Sequence, residues 1–388
     1  MREDSPPGEG KGSAHFCEGR LSPVRAAVFY EVGKPLVVED VDLEPPRPGE
    51  VLVRIVATGV CHSDLHYIKG DLTMPLPVVL GHEASGVIAS VGAGVESVRP
   101  GDHVVLLFAP ACGACRYCDS GRPHLCEMRY RVRGRMPDGT TRLRARGEEL
   151  NHFTCVSSWA EQAVVPEAGV LRIDRDLPLS VAALLGCAVT TGVGAVINTA
   201  RVTPGSSVVV IGLGGVGLNV VQGARIAGAT TIIGVDLLDH RLEAARQFGA
   251  THVVNGKRDD AVAAVRDLTG GGADYAFEVI GRPETVRQAV DAVARGGVAV
   301  AVGIPSAKAE LAVAGTSFIL NEKQLRGCFY GSSRLRDDIP RLLRLYYGRQ
   351  LMLDELVTAS FPLERVNEAV DVLDRGDGLR TILQVSAA

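Results

Sequence analysis

Four cysteines lie close together in one short segment of the chain. Three of them recur at every third position and the last follows eight residues later: Cys112, Cys115, Cys118 and Cys126. Four thiolates from one segment are the ligand set of a closed tetrahedral Zn²⁺ site, whereas two disulfides would require an oxidising compartment. The spacing therefore predicts a structural zinc ion, with a chance grouping of thiols as the other alternative. A site with four protein ligands has no open position, so it holds a loop and does no chemistry.

A glycine-rich turn indicates a second binding site, for a dinucleotide. The sequence GLGGVG follows an apolar, strand-like run, precedes a helical pattern and supplies Gly212, Gly214, Gly215 and Gly217. Glycines there permit a tight turn and close backbone approach, and the helix start holds a pyrophosphate. Asp236 ends the next apolar run, where a carboxylate accepts hydrogen bonds from the adenosine ribose and repels a 2′-phosphate. The pattern predicts NAD rather than NADP; a solvated carboxylate at a strand end is the alternative for Asp236.

Three further side chains could activate a substrate beside that cofactor. Cys61 lies in GVCHSDLH after a strand-like run, His82 in GHEASG, and Cys187 in GCAVTTG ahead of the dinucleotide region. Cysteine is often simply a small buried residue, and a single histidine is often a hydrogen-bonded core residue. Taken one at a time, the three residues leave both interpretations open.

The elements that must position these residues differ between the two parts of the chain. From about Val24 to Leu107, short β-like runs alternate with Gly and Pro turns and predict an antiparallel, barrel-like domain. After Pro204, strands alternate with helical patterns, which predicts a parallel sheet with crossover helices. The chain ends in a strand-like TILQV that could rejoin the first domain. The fold class is therefore α/β, with a doubly wound parallel sheet and a mainly β domain.

Composition narrows the possible functions. The 388 residues suit two domains, and 46% of them are hydrophobic, enough to bury two cores. The net charge of −4 offers no general attraction for nucleic acid or an anionic membrane. Residues 1–22 mix both charge signs with Pro and Gly and predict a disordered extension rather than a signal peptide, which favours the cytoplasm. The uncharged stretch between Asp176 and Arg201 contains Pro and several Gly, and predicts a buried helix and turn rather than a membrane span.

In their order along the chain, these motifs resemble the zinc-dependent alcohol dehydrogenases of the medium-chain dehydrogenase/reductase family. The resemblance extends from about Val24 to Val385 and rests on Cys61 with Ser63 and His66, GHE at 81–83, the four-thiol loop, GCAVTTG, GLGGVG and the final LRTIL. It implies a discontinuous GroES-like catalytic domain, residues 23–188 and 331–388, and a Rossmann NAD-binding domain, residues 189–330. It also implies an active site in the cleft between them and a homodimer or homotetramer joined through the cofactor domains.

The resemblance further implies a catalytic zinc ion, the second in the chain, held by Cys61, His82 and Cys187. Such a site keeps one position for an alcohol, which loses a proton and passes hydride to NAD to give an aldehyde or ketone. Ser63 matches the hydroxyl that contacts the substrate oxygen, and His66 matches the surface end of a proton relay through the cofactor ribose. Asp64 would orient the imidazole of His82. Glu83, which follows His82 in the GHE motif, would adjust the electrostatic environment of the metal or briefly ligate it.

Other positions match the family with ordinary alternatives beside them. His62 and Arg380 stand where residues facing the cofactor pyrophosphate are expected. Arg241 stands where a cation contacts the adenosine ribose, or on a solvated helix face. Phe108 falls at a wall of the substrate pocket, or simply packs in the core. Three cysteines match no ligand position and are interpreted as ordinary thiols: Cys17, Cys155 and Cys328.

Two departures keep other functions open. Many relatives read GCG where this chain has Gly186-Cys187-Ala188, and residues 129–146 carry seven arginines and one aspartate. An arginine run is usually a solvated loop, but beside a substrate channel it could attract an anionic substrate. One branch of the family oxidises thiol adducts of formaldehyde, so an NAD-dependent formaldehyde dehydrogenase is the first alternative. The second is a non-catalytic zinc and nucleotide-binding module; the complete Cys, His, Cys set and the acidic balance weigh against it.

Overall fold

Residues 21–131 and 133–387 are described by the computed structural model. The predicted disordered extension lies outside them except for residues 21 and 22, and Ser22 already begins the first strand. Cys17 also lies outside the described residues. The described strands form three sheets, of which the first closes into a small barrel: Ser22–Phe29, Val37–Leu43, Leu143–Ala145, Glu148–His152 and Val78–Val79.

The second sheet carries the strands that lead into the candidate metal ligands. Its strands, in order, are Val170–Arg172, His103–Leu106, Ala84–Val91, Glu50–Val60, Arg380–Gln384 and Val357–Pro362, with Gln162–Pro166 also paired to Glu50–Val60. The last strand of the chain pairs antiparallel with Glu50–Val60, so that Thr381 lies opposite Val60. The predicted return of TILQV to the first domain is confirmed, and it brings Arg380 next to Cys61.

The third sheet is wholly parallel. Its order is His252–Asn255, Thr231–Asp236, Ser207–Ile211, Ala273–Glu278, Val293–Ala301 and Gln324–Gly327. Numbered along the chain this order is 3-2-1-4-5-6, in which a crevice opens at the carboxyl ends of the first and fourth strands. The predicted α/β fold class is confirmed.

Helices cover both faces of this parallel sheet, as its sequence requires. In strand Ser207–Ile211, Val208 and Val210 pack into one core cluster, and Val209 and Ile211 into another. Alternate residues of a strand face opposite sides, so a continuous apolar run is buried on both. The α-helices within residues 21–131 and 133–387 are His62–Lys69, Arg116–Asp119, Met128–Arg131, Leu179–Ala182, Ala188–Gly194, Gly215–Ile226, Asp239–Phe248, Ala261–Thr269, Pro283–Ala292, Gly315–Leu320, Leu335–Tyr347 and Val366–Arg375.

The uncharged stretch before the parallel sheet forms buried helical turns. No single helix among the described residues is long and apolar enough to cross a membrane. Taken together, the helical segments Leu179–Gly186 and Ala188–Ala200 reach that length and apolar composition, but they are bent by 50° relative to each other. Leu184, Leu185 and Val189 in this pair are fully buried. The stretch is therefore part of the core, as the glycines within it predicted.

Candidate active site

Cys61, His82 and Cys187 converge from three parts of the chain. Cys61 follows strand Glu50–Val60 and is the N-cap of helix His62–Lys69, and Cys187 immediately precedes helix Ala188–Gly194. One ligand atom from each of the three side chains lies within 4.8 Å of the others, and all three residues are buried. Two sulfurs and one ring nitrogen at this spacing fit around a single zinc ion.

Asp64 holds the imidazole of His82 in place. Its Oδ1 lies 3.2 Å from His82 Nδ1 and accepts from the backbone N–H of Gly81, while Oδ2 accepts from the backbone N–H of Cys61. This contact to Nδ1 agrees with the role that the resemblance implied, because it leaves Nε2 to bind a metal. Burial opposes protonation of His82, but the Asp64 carboxylate outweighs it and raises the pKa of the imidazole to about 10. A metal ion would take the place of that proton.

The two thiols of this site form a hydrogen-bonded pair whose pKa values shift in opposite directions. A hydrogen bond with Cys187 holds the pKa of Cys61 well below its usual value against the effect of burial, and the Arg380 charge assists. The same hydrogen bond, together with burial, raises the pKa of Cys187. A bound divalent cation removes this asymmetry because it stabilises both thiolates. The chemistry of the donor set therefore fits zinc.

Aromatic rings form a wall beside the metal ligands. Phe108 meets His82 edge-on with ring centroids 5.3 Å apart, and it stacks on Tyr330 at 3.8 Å. Phe329 approaches Phe108 edge-on at 6.0 Å, and the Tyr330 hydroxyl donates to the carbonyl of Gly186. Phe108 thus packs in the core and lines the cleft at once. No sequence pattern pointed to Phe329 and Tyr330, because they follow the last strand of the parallel sheet, far along the chain from the ligands.

A cleft of about 1540 Å³ runs from these ligands to the glycine-rich turn. Gly212 has a φ of +97°, and a Cβ on Gly217 would lie 1.9 Å from the carbonyl oxygen of Gly212. Only glycine avoids strain at the first position and a clash at the second. Gly214 caps helix Gly215–Ile226, whose N-terminus faces the cleft. The predicted strand, turn and helix are therefore assembled as a dinucleotide site requires.

Asp236 is buried rather than solvated. One carboxylate oxygen accepts from the backbone N–H of Leu213 at 2.8 Å, and the other accepts from Leu237 and Leu238 at 2.7 and 3.1 Å. The carboxylate is thereby fixed at the edge of the glycine-rich turn, where it lines the cleft. Its position agrees with recognition of a ribose.

Arg241 is not on a solvated helix face. Its guanidinium lies 3.9 Å from Asp236 and donates to the carbonyl of Gly376 at 3.1 Å, and its side chain is 16% exposed. The buried Nε of Arg241 has no hydrogen-bond partner within the described residues, and neither does that of Arg380. Both residues line the cleft. Two guanidinium groups that line one cleft, each with an Nε that lacks a hydrogen-bond partner among the described residues, fit an anionic dinucleotide.

A buried ion pair links the metal ligands to this cofactor cleft. Arg380 pairs with Glu83, and the other Glu83 oxygen accepts from the backbone N–H of Ala188, next to Cys187. The Arg380 side chain also packs against the backbone of Gly215. Both oxygens of Glu83 are thus engaged by partners other than a metal. Glu83 therefore contacts both the backbone next to Cys187 and the guanidinium of Arg380, which borders the glycine-rich turn.

The remaining predicted relay and pyrophosphate residues lie on one helix. Ser63 Oγ is 3.8 Å from Cys61 Sγ, at the inner end of helix His62–Lys69, whereas His66 lies further out. His62 borders the cleft, where desolvation lowers the pKa of its ring and the Arg380 charge adds to that effect. The helix therefore places three residues along a path from the metal ligands to the mouth of the cleft.

The four-cysteine segment forms a second, separate cluster. Single ligand atoms of Cys112, Cys115, Cys118 and Cys126 all lie within 4.8 Å of one another. Cys115 Sγ is 3.6 Å from Cys118 Sγ and 3.9 Å from Cys126 Sγ. Zn–S bonds of 2.3 Å in a tetrahedron require sulfurs about 3.8 Å apart, so the cluster has the dimensions of a zinc site. The described cysteines are free thiols, which disagrees with the disulfide alternative.

The arginine-rich segment is only partly solvated. Arg142 is fully buried, and it donates to Glu50 at 2.9 Å and to Asp138 at 2.7 Å. Other arginines of the segment pair with surface acids: Arg135 and Arg144 with Glu149, and Arg146 with Glu39. The guanidinium of Arg129 lies 3.8 Å from the ring centroid of Phe329, which lines the cleft. Most of the segment therefore stabilises the barrel, and Arg129 approaches the substrate side.

Comparison with known proteins matches both parts of the chain. Residues 47–175 match the family described as alcohol dehydrogenase GroES-like domain, and residues 215–347 match zinc-binding dehydrogenase. Alcohol dehydrogenase class-3 of Drosophila melanogaster is 40% identical over 375 residues, which cover 95% of this chain and 99% of that protein. A Mycobacterium tuberculosis protein assigned the name alcohol dehydrogenase D is 44% identical over 363 residues, covering 92% and 98%.

Solved structures agree over similar lengths. An alcohol dehydrogenase zinc-binding domain protein from Burkholderia ambifaria superposes with a TM-score of 0.90 at 40% identity, covering 95% of this chain and 100% of that chain. Benzyl alcohol dehydrogenase from Acinetobacter calcoaceticus also gives a TM-score of 0.90, at 36% identity, covering 94% and 100%. Both domains therefore have counterparts of known structure in a single chain.

Proposed function

Because the chain belongs to the zinc-dependent alcohol dehydrogenases of the medium-chain family, we propose that it holds two zinc ions and oxidises an uncharged alcohol reversibly with NAD. The observation that carries the proposal is the convergence of Cys61, His82 and Cys187 at one end of a cleft whose other end is the glycine-rich turn. A reactant bound to these ligands would lie beside a cofactor bound to that turn.

In this reaction zinc supplies a Lewis acid for the substrate oxygen, and NAD supplies the hydride acceptor. The residues of the chain position both and manage the proton. Asp64 orients His82, and the Cys61 and Cys187 thiolates offset the charge of the metal. Ser63 Oγ, 3.8 Å from Cys61 Sγ, would accept the hydroxyl proton of the alcohol while its own hydroxyl proton passes on along the relay that ends at His66. The aromatic wall of Phe108 and Phe329 excludes water from the reacting atoms.

The same wall supports an apolar substrate. Phe108 and Phe329 line the cleft near the ligands, and aromatic walls bind flat or aliphatic groups without selecting a charge. A structural neighbour named benzyl alcohol dehydrogenase, at 36% identity, supports alcohols attached to a ring. Oxidation of a formaldehyde thiol adduct is the second candidate, and the observation in its favour is Arg129 over Phe329, where a substrate carboxylate could bind.

We expect NADH formation with NAD and benzyl or other primary alcohols, measured as the rise in absorbance of the reduced nicotinamide. The rate with NADP in place of NAD should be at least about tenfold lower, because the buried Asp236 carboxylate repels a 2′-phosphate. Formaldehyde plus a low-molecular-weight carboxylated thiol, tested in parallel, distinguishes the second candidate.

A higher kcat/KM for the thiol adduct than for every simple alcohol would replace the first candidate by the second. Binding of NAD and two zinc ions without turnover of any of these compounds would contradict both candidates. It would favour the non-catalytic zinc and nucleotide-binding module instead. The three outcomes use one preparation, so they can be compared directly.

We also propose that two copies associate through the edge of the parallel sheet. Strand Gln324–Gly327 ends the sheet order, and Ile319 and Leu320 beside it are 72% and 78% exposed. An unpaired edge with exposed apolar side chains favours a symmetric partner. Light scattering should give twice the 40.9 kDa chain mass for the wild type and a lower mass for Leu320→Glu. A monomeric wild type would contradict the proposal.

Several expectations from the sequence remain predictions. They are the boundaries of the two domains, the cytoplasmic location, the absence of nucleic-acid and membrane partners, and a tetramer as the alternative to the dimer. The part played by His66 in proton release is also a prediction.

A further inference from the structure

Asp71 contacts His66 at the mouth of the cleft. Helix His62–Lys69 ends at Gly70, whose φ of +79° turns the chain back, and the N–H of Leu72 donates to the carbonyl of His66 at 3.2 Å. This turn brings Asp71 Oδ2 to 3.0 Å from His66 Nδ1. Both side chains line the cleft. The local fold therefore builds a carboxylate–imidazole pair five residues apart in the sequence.

We infer that Asp71 is a positioning residue that keeps His66 ready to release the proton that the alcohol loses. An ionised carboxylate only accepts hydrogen bonds, so Nδ1 must carry the hydrogen and Nε2 is left with a free lone pair. The O–H bond of the alcohol breaks, its proton passes along the relay and an N–H bond forms at His66 Nε2, and this N–H bond then breaks as the proton passes to water. The imidazole returns to its starting state with no net change in electrons. This inference rests on the proposed oxidation of an alcohol.

A backbone contact fixes Asp71 from the opposite side of the cleft. Its carbonyl accepts from the N–H of Ala307 at 3.3 Å, and Ala307 belongs to the loop that follows strand Val293–Ala301 of the parallel sheet. The neighbouring cation Lys69 is paired with Asp374 on helix Val366–Arg375. The backbone of Asp71, whose carboxylate contacts His66, is thus held by the turn on one side and by a loop of the parallel-sheet domain on the other. Substitution of its side chain leaves the backbone contact available.

The first test measures the rate of the initial NADH burst by stopped flow. Asp71→Ala should lower that rate about fivefold, the effect of losing one partly exposed hydrogen bond, with KM for alcohol and NAD unchanged. Asp71→Asn, which keeps an acceptor oxygen, should stay within about twofold of the wild type. In a His66→Gln background, Asp71→Ala should have no further effect. Equal losses in both backgrounds would mean a structural role and would overturn the inference.

The second test does not depend on turnover. With ¹⁵N-labelled histidine, each of the nine imidazoles reports which ring nitrogen carries hydrogen, and His66→Gln identifies the signal of His66. In the wild type without cofactor we expect hydrogen on Nδ1 and none on Nε2, and in Asp71→Ala a mixture of the two tautomers. Hydrogen on Nε2 in the neutral wild-type ring would contradict the inference.

A matched control distinguishes loss of the Asp71–His66 contact from loss of any negative charge near helix His62–Lys69. Asp374→Ala removes another carboxylate paired with helix His62–Lys69 but does not touch His66, so burst rate and tautomer should match the wild type. A wild-type enzyme that forms no NADH with any alcohol would overturn the proposed function. In that case the ¹⁵N measurement still decides whether Asp71 sets the tautomer of His66.

Discussion

Replacement of Cys61 by alanine is expected to lower kcat/KM for alcohol oxidation by about three orders of magnitude or more and to reduce the zinc content from two ions to one per chain. A catalytic metal contributes several kcal/mol to the transition state, and each 1.36 kcal/mol is a factor of ten. Cys61 is buried within 4.8 Å of the other two ligand atoms, so the remaining His82 and Cys187 leave the site with two ligands. Elemental analysis and the NADH assay measure the two effects on the same sample.

Cys155→Ala is the matched control for this loss. Cys155 is also a buried thiol, but it packs in the core of the barrel and belongs to neither cysteine cluster. This variant should keep two zinc ions and most of the turnover, whereas Cys61→Ala should keep its far-ultraviolet circular dichroism and one zinc ion. A Cys61→Ala protein that retains two zinc ions and turnover would show that the metal ligands are misassigned.

Much of the fold and the four-cysteine donor set could be predicted from local sequence. The glycine-rich turn requires a strand before it and a helix after it, and the four cysteines lie within one loop, so short-range spacing specifies both. Each of these predictions depends on residues that the chain brings together over a few turns.

The contacts that sequence could not predict join segments far apart. Phe329 and Tyr330 reach Phe108 only because the chain leaves the parallel sheet beside the first domain. Asp71 meets His66 through a left-handed glycine, a geometry that a GD pair suggests but does not fix. Arg142 is buried by an ion pair with Glu50, although it lies in a segment rich in arginine. A charged side chain is buried only where a partner from another segment neutralises it. A sequence rich in arginine therefore predicts an exposed segment unless those partners are known.

Glu83 and Arg380 also form a buried ion pair between distant segments. Replacement of Glu83 by alanine is expected to lower the free energy of unfolding by about 3–5 kcal/mol, because it leaves the buried Arg380 without its counter-charge. The two side chains are 0% and 4% exposed, and they come from the GHE motif and from the last strand of the chain. The substitution also leaves the backbone N–H of Ala188 without its acceptor. The free energy of unfolding, measured by urea denaturation of the zinc-loaded protein without NAD, tests the expectation.

Two controls show whether the lower stability of Glu83→Ala comes from the unpaired buried charge or simply from removing a carboxylate. One is a substitution in an exposed ion pair, and the other is a double substitution of the buried pair. Glu368→Ala breaks the pair with Arg365, whose side chains are 56% and 53% exposed, and should cost little because solvent screens both charges. Glu83→Leu combined with Arg380→Met removes both buried charges and should recover at least half of the stability lost in Glu83→Ala, because apolar replacement of a whole buried pair is often neutral. If Glu83→Ala costs no more than Glu368→Ala, the pair does not hold the last strand against the metal ligands. In that case the position of Arg380 in the cleft depends on the pairing of its strand with Glu50–Val60 alone.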